Sequence, residues 1–115
     1  IRPLRSAWAA CSYPQGPDRI PDGNTATEDE MKDAQRAVRK YNEDINIYLT
    51  CIKDEHVKSI ERDAASLTEE QKKERERMQV QKHNAAIDEL EAVAARFNEQ
   101  VKVFKAKEKA GRDKS

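Results

Sequence analysis

The sequence predicts an all-α protein: a long antiparallel two-helix coiled-coil hairpin, with an extended N-terminal segment packed along it by a disulfide. Two mirrored apolar ladders, a break signal midway between them and two cysteines support this prediction. Both ladders alternate spacings of three and four residues, which is typical of coiled-coil helices. When one ladder is paired with the other in reverse, every pair of residue numbers has the same sum, as antiparallel packing requires. The predicted core layers are Met31 with Phe104, Ala34 with Val101, Val38 with Phe97, Tyr41 with Ala94, Ile45 with Leu90, Tyr48 with Ile87, and Ile52 with His83.

The composition favours a thin helical structure over a thick globular core. Charged residues make up 38% of the 115 residues and aromatic residues only 5%. Each helix can therefore bury one stripe and leave its remaining surface in water. The 22 basic and 22 acidic side chains balance, so no net field attracts nucleic acid. Since no run of about 18 apolar residues is present, we expect no membrane span.

The first predicted element is an extended segment over residues 1–26. This segment holds all four prolines of the chain, and proline favours extended or turn geometry. Pro21-Asp22-Gly23-Asn24 has the composition of a turn. Thr27 with Glu30 three residues later then forms a capping box, which predicts a helix over about 28–66.

The second helix is predicted over about 69–110. Thr68 with Gln71 repeats the capping signal after a turn near 66–68. Gly111 stands where a C-cap glycine is expected. The predicted organisation is therefore a docked segment over 1–26, a helical hairpin over 27–110 and a basic tail over 111–115.

One alternative to the hairpin stays open at this point. No glycine or proline lies between Asn24 and Gly111, so the first helix could continue through Leu67 into the second. Two such helices from two chains, lying antiparallel, would form the same layers as a domain-swapped dimer. The capping signal at Thr68 favours the hairpin.

Cys11 and Cys51 are predicted to form a disulfide. A thin polar domain gains much from a covalent crosslink, and closing a loop of this length is worth about 4 kcal/mol in the chain-entropy model. Two unrelated small core residues are the alternative, while the wide spacing argues against metal binding. A disulfide indicates an oxidising compartment, namely the periplasm or cell envelope.

Geometry permits this crosslink. Cys51 lies about 36 Å along the helix from Thr27 at 1.5 Å per residue, and the stretch from Cys11 to Thr27 spans about 50 Å in polyproline form. The segment is predicted to dock on the flank where small apolar residues of both helices face each other, with Tyr13 and Ile20 entering the groove. This predicted docking groove consists of Ala37, Cys51, Ala86 and Val93.

The sequence offers little for chemistry. His83 in the last layer, with His56 and Glu55 about one turn away, is the one candidate metal or proton site. Core packing of His83 with a Glu55 partner is the simpler interpretation, and no cofactor is predicted. Phosphate-loop, nucleophile-elbow and paired-carboxylate patterns are absent from the sequence, so the chain is predicted not to be an enzyme.

The first half of the chain resembles a group of small exported proteobacterial proteins. The resemblance rests on Cys11-Ser-Tyr-Pro, Ile20-Pro-Asp-Gly, Ala26-Thr-Glu-Asp-Glu-Met31 and Tyr48-Leu-Thr-Cys51. In that group a Cys-Pro-rich leader precedes a helix with a Tyr-Leu-x-Cys signature. The resemblance covers roughly residues 11–56 and implies export and the Cys11–Cys51 bridge. It implies no activity.

Three functions are compatible with this prediction. The first is a structural or interaction protein of the bacterial envelope that binds a larger assembly or itself. The second is a holdase-like or adaptor-like arm, which needs exposed apolar residues near Val57, Ile60 and Met78. The third is a metal-binding protein that uses His56 and His83. The basic C-terminus could also contact anionic envelope surfaces.

Overall fold

Two long helices account for most of the computed structural model, which describes residues 11–114. Helix α1 spans Glu28–Asp63, a short 3-10 helix spans Ala64–Ser66, and helix α2 spans Glu69–Lys114. Over these described residues the structure contains no strand. The helices pack as a hairpin, which confirms the predicted fold class. Part of the predicted N-terminal segment, residues 1–10, lies outside the described residues.

Helix α1 begins at the predicted capping box. The Thr27 amide donates to Glu30 Oε1 over 2.8 Å, and the Glu30 amide donates to Thr27 Oγ1 over 3.1 Å. Three acidic residues in the first turn also complement the positive end of the helix dipole. Before the helix, the Asn24 amide donates to Asp22 Oδ1, and the Ala26 amide donates to Asp22 O, which closes the predicted turn.

The chain turns between Asp63 and Glu69. Helix α1 ends at Asp63, slightly before its predicted end, and the last turn tightens into the 3-10 helix. Leu67 is extended, with φ of -95° and ψ of 136°, so a single continuous helix does not form. The Thr68 amide donates to Gln71 Oε1 over 2.9 Å, and the Gln71 amide donates to Thr68 Oγ1 over 3.0 Å. The second predicted capping box is thereby confirmed.

The C-terminal boundary differs from the prediction. Helix α2 passes through Gly111 and continues to Lys114, so Gly111 is not a C-cap and the predicted basic tail is helical up to Lys114. Glycine lowers helix propensity by only about 1 kcal/mol relative to alanine. No proline follows to stop the helix, and the surrounding lysine, alanine and arginine residues are good helix formers.

The contacts divide the described chain into two compact units. We call residues 11–14 with Asp44–Asp88 the disulfide unit, and Gln15–Glu43 with 89–114 the Phe97 unit. The core of the Phe97 unit is a cluster of Ala26, Met31 and Phe97, each at most 8% exposed. Half-buried apolar residues pack against this cluster: Ile20, Ala34, Val38, Val101 and Phe104.

The disulfide unit has its own core. Ile45 and Ala86 are fully buried, and Ile52 is 3% exposed. Tyr48 is buried as well, while Ile87 and His83 are half-buried. Of the remaining residues predicted for core layers, Tyr41 is buried, and Ala94 and Leu90 are half-buried, all three in the Phe97 unit.

The buried residues of α2 combine one residue of the predicted layers with two residues of the predicted docking groove. Ala86, Val93 and Phe97 are the buried residues of this helix, whereas Ile87 and Ala94, assigned to the layers, are only half-buried. In the Phe97 unit the reason is visible at Gly23, whose amide donates to Gln100 Oε1 over 2.7 Å. The N-terminal segment covers this side of α2 and removes it from water.

Polar contacts close the disulfide unit near the turn. Arg75 donates to Ser59 O over 3.2 Å and to Ser59 Oγ over 2.7 Å, and its guanidinium lies 2.9 Å from Asp63 Oδ2. Arg62 also donates to both oxygens of Asp63. Hydrogen bonds from Arg62 and then from Arg75 lower the pKa of Asp63 to about 2. These contacts of Arg62 and Arg75 with Asp63 and Ser59 take the place of apolar layers, because the sequence from Glu69 to Arg77 has no apolar residue.

The ion pairs of Asp63 predict that the stability of the protein depends on pH in acid. The pKa of Asp63 is lower in the folded protein than in the unfolded chain, so its contribution to stability is complete above about pH 4. That contribution is lost as the pH falls toward 2. We expect Asp63→Asn to reduce the fall in melting temperature over this interval, measured by circular dichroism. Asp54→Asn, an exposed carboxylate on the same helix, is the matched control; equal slopes for wild type and Asp63→Asn would contradict the prediction.

Candidate functional site

The disulfide is the centre of the candidate site. Cys11 and Cys51 are bonded, with their Cα atoms 5.6 Å apart, which confirms the predicted pairing. Cys51 lies within α1, whereas Cys11 belongs to a stretch without regular secondary structure. Both residues are half-buried. The bridge therefore bonds an irregular segment of the chain to the side of a helix.

A tyrosine pair extends this attachment. The rings of Tyr13 and Tyr48 meet edge to face, with centroids 5.0 Å apart and an interplanar angle of 81°, a favourable arrangement for aromatic rings. Tyr48 is buried, whereas Tyr13, which was predicted to enter the groove, remains 51% exposed. Burial is the main cause that raises the pKa of the Tyr48 hydroxyl, and the nearby Tyr13 and Glu55 raise it further.

Beside the bridge lies an exposed apolar side chain. Ile47 is 68% exposed, although it lies two residues from the fully buried Ile45. It lines a shallow depression on the disulfide unit, together with other apolar residues and with Ser12 and Asp44. We call the apolar and cysteine residues of this lining the Ile47 surface: Cys11, Pro14, Ile47, Tyr48 and Cys51.

A second depression continues from Ile47 along α1. Its lining combines Ile47, Thr50 and Cys51 with charged side chains at Asp54, Glu55 and Lys58. Protein-binding surfaces combine apolar and polar side chains, and this lining contains both kinds. Sequence reasoning missed Ile47 because the search followed the residues that fit the ladder. The available signal was an isoleucine outside the ladder, on the helix face opposite the core.

The predicted docking groove is occupied in the Phe97 unit. Val93 is 3% exposed and Ala37 is half-buried. Residues 17–20 line one depression together with Val93 and another together with Ala37. Ile20 packs against the core cluster of this unit. In the disulfide unit, Ala86 is fully buried, and Cys51 carries the bridge.

The structure gives His56 a carboxylate partner that the sequence did not predict. His56 Nε2 lies 3.0 Å from Glu76 Oε1. His83 is half-buried. Within residues 11–114, no group of three or more histidine, cysteine, aspartate or glutamate side chains is arranged to hold a metal ion. No helix in this part of the chain is long and apolar enough to cross a membrane.

Exposed apolar residues also occur elsewhere in the disulfide unit. Val57, Met78 and Val80 are 45%, 48% and 41% exposed, and Ile60 is half-buried. Met78 and Ile52 line a depression together with charged residues of both helices. Of the three residues that the holdase-like hypothesis names, Val57 and Met78 are exposed and Ile60 is not.

Comparisons with protein-family models, with curated proteins and with solved structures find no match for this chain. The resemblance to exported proteobacterial proteins therefore stays a prediction. The candidate site is defined by its own geometry: an irregular segment bonded to a helix, with an apolar surface at the bond.

Proposed function

We propose that this chain is a non-enzymatic interaction protein of the bacterial envelope, which uses the Ile47 surface to bind a protein partner or a second copy of itself. The supporting observation is the exposure of Ile47 beside the disulfide. When a partner covers a large aliphatic side chain that was exposed to water, the burial makes the free energy of binding more favourable. The bridge and the tyrosine pair hold the surrounding residues in place, which reduces the entropy lost on binding.

The proposed location follows from the covalent bond. Disulfides persist in oxidising compartments such as the periplasm and are rare where thiol reductants are abundant. The Cys11–Cys51 bond therefore supports an exported protein. The same bond supports a binding role over catalysis, because it fixes a surface and contributes no free thiolate as a nucleophile.

A second candidate is the holdase-like or adaptor-like arm. The exposure of Val57 and Met78 favours it, since a protein that grips unfolded clients needs accessible apolar side chains. Methionine also adapts its shape to different partners. The Ile47 surface remains the first candidate because Ile47 is the most exposed of the large apolar residues described.

One experiment separates the two candidates. The tagged protein is purified from native envelope under non-reducing conditions as wild type, Ile47→Glu and Met78→Glu, and recovered partners are quantified by mass spectrometry. Wild type and Met78→Glu should recover the same partner. Ile47→Glu should reduce its recovery by about tenfold, which corresponds to the loss of one important contact.

Other outcomes contradict the proposal. Loss of recovery in Met78→Glu with retention in Ile47→Glu would favour the holdase-like arm. Sedimentation velocity of the purified protein tests self-association, which Ile47→Glu should weaken in the same way. A protein that is monomeric and recovers no partner in any form would overturn the proposal.

A further inference from the structure

We infer that the Cys11–Cys51 bond is a redox switch that assembles the Ile47 surface and releases part of it on reduction. Of the five residues of that surface, Cys11 and Pro14 come from the irregular segment, and Ile47, Tyr48 and Cys51 come from α1. The bond joins the two groups. The effect on binding rests on the proposed function. The release of residues 11–14 on reduction does not depend on it.

The bond lies at a depression of the protein surface. Cys11 and Cys51 are both half-buried, and both line the shallow depression beside Ile47. A dithiol reductant could therefore approach from solvent without unfolding the helices. One thiolate of the reductant attacks a sulfur of the bridge and forms a mixed disulfide, and its second thiolate then displaces the remaining cysteine. Two electrons pass to Cys11 and Cys51, which take up two protons, and the reductant leaves as a disulfide.

Release is local because the core of the disulfide unit does not include the bridge. Ile45, Ile52 and Ala86 are the most buried residues there, and Cys51 keeps its place within α1 through backbone hydrogen bonds of the helix. Residues 11–14 have no regular secondary structure. The bridge and the contact between Tyr13 and Tyr48 attach them to α1.

The following part of the segment has separate attachments in the Phe97 unit. The Gly23 amide donates to Gln100 Oε1 over 2.7 Å, and Lys107 Nζ donates to Ala26 O over 3.2 Å. These contacts do not depend on the bridge. Reduction is therefore expected to free residues 11–14 while the part near Gly23 stays bound.

Release changes the exposed surface in two ways. The Ile47 surface loses Cys11 and Pro14, and Tyr48 loses its edge-to-face contact with the ring of Tyr13. Because burial and Tyr13 raise the pKa of Tyr48, that pKa should fall toward its ordinary value in the reduced protein. The oxidised form is the binding form, and the reduced form is the released one.

Nuclear magnetic resonance with labelled tyrosines tests the structural step. In the oxidised protein a cross-peak should connect the rings of Tyr13 and Tyr48; in dithiothreitol it should disappear, while far-ultraviolet circular dichroism keeps its helical signal. The double variant C11S/C51S should lack the cross-peak in both conditions, which excludes a direct effect of the reagent. Repeating the comparison in a Gly111→Ala background, which favours the helix, offsets part of any stability that reduction removes.

Binding is the second readout. Reduced wild type and C11S/C51S should both lose the partner that oxidised wild type recovers. A ring contact that survives reduction, helices that unfold together with the segment, or recovery that is unchanged by reduction would each overturn the switch. If Ile47→Glu leaves recovery intact, the proposed function fails, and the cross-peak still decides whether reduction releases residues 11–14.

Discussion

Ile45→Ala is expected to lower the free energy of unfolding by about 2–5 kcal/mol, the range measured when a buried aliphatic side chain is truncated to alanine. Ile45 is fully buried, so the variant loses both the transfer free energy of the removed atoms and the packing around the cavity that remains. Few other residues of the disulfide unit are buried deeply enough to compensate. Urea unfolding followed by circular dichroism measures the change.

Ile47→Ala is the matched control for this prediction. It removes the same atoms from the same helix two residues away, but Ile47 is 68% exposed. Surface substitutions usually change stability by less than about 0.5 kcal/mol. Equal losses for the two variants would show that Ile45 is not in the core.

Gly23→Ala is the second variant with a large expected effect. A Cβ atom at Gly23 would lie 2.3 Å from Gln100 O and 2.8 Å from Phe104 N. Both are backbone atoms of α2, which cannot move aside as a flexible side chain can. The turn must shift away from the helix and stretch the hydrogen bond from the Gly23 amide to Gln100 Oε1. We expect a loss of about 1–3 kcal/mol, as for overpacked cores.

Gly111→Ala provides the opposite expectation. A Cβ at Gly111 meets no atom within 4 Å, and this residue lies inside α2. Alanine should therefore stabilise the protein by up to about 1 kcal/mol through helix propensity. Thermal unfolding of both variants checks the pair; a Gly23→Ala variant as stable as wild type would contradict the close approach of the turn to α2.

Much of the fold could be predicted because it depends on short-range patterns. The ladder of α1 places Tyr41, Ile45 and Ile52 on one face, and all three are buried. The capping boxes at Thr27 and Thr68 depend on residues three positions apart and form as expected. Both follow from the geometry of the helix itself.

The candidate site was predicted only in part. With two cysteines in the chain, a single intramolecular pairing was possible, and the structure contains it. Ile47 was not predicted as a surface residue of interest, and Tyr13 was assigned to the groove although it remains half exposed. The composition of a surface depends on which side chains the bridge brings together, and the helical period does not contain that information.

By itself, the sequence determined the N-terminal caps of both helices and the apolar face of α1, because each depends on neighbours along the chain. With two cysteines, it allowed a single intramolecular pairing. Only the tertiary structure decided that Ala86 and Val93 of the predicted groove are more buried than Ile87 and Ala94 of the predicted layers. It also decided that Arg75 bonds Ser59 and Asp63. These features arise between residues distant in sequence, where packing and hydrogen-bond geometry in three dimensions select one neighbour among many.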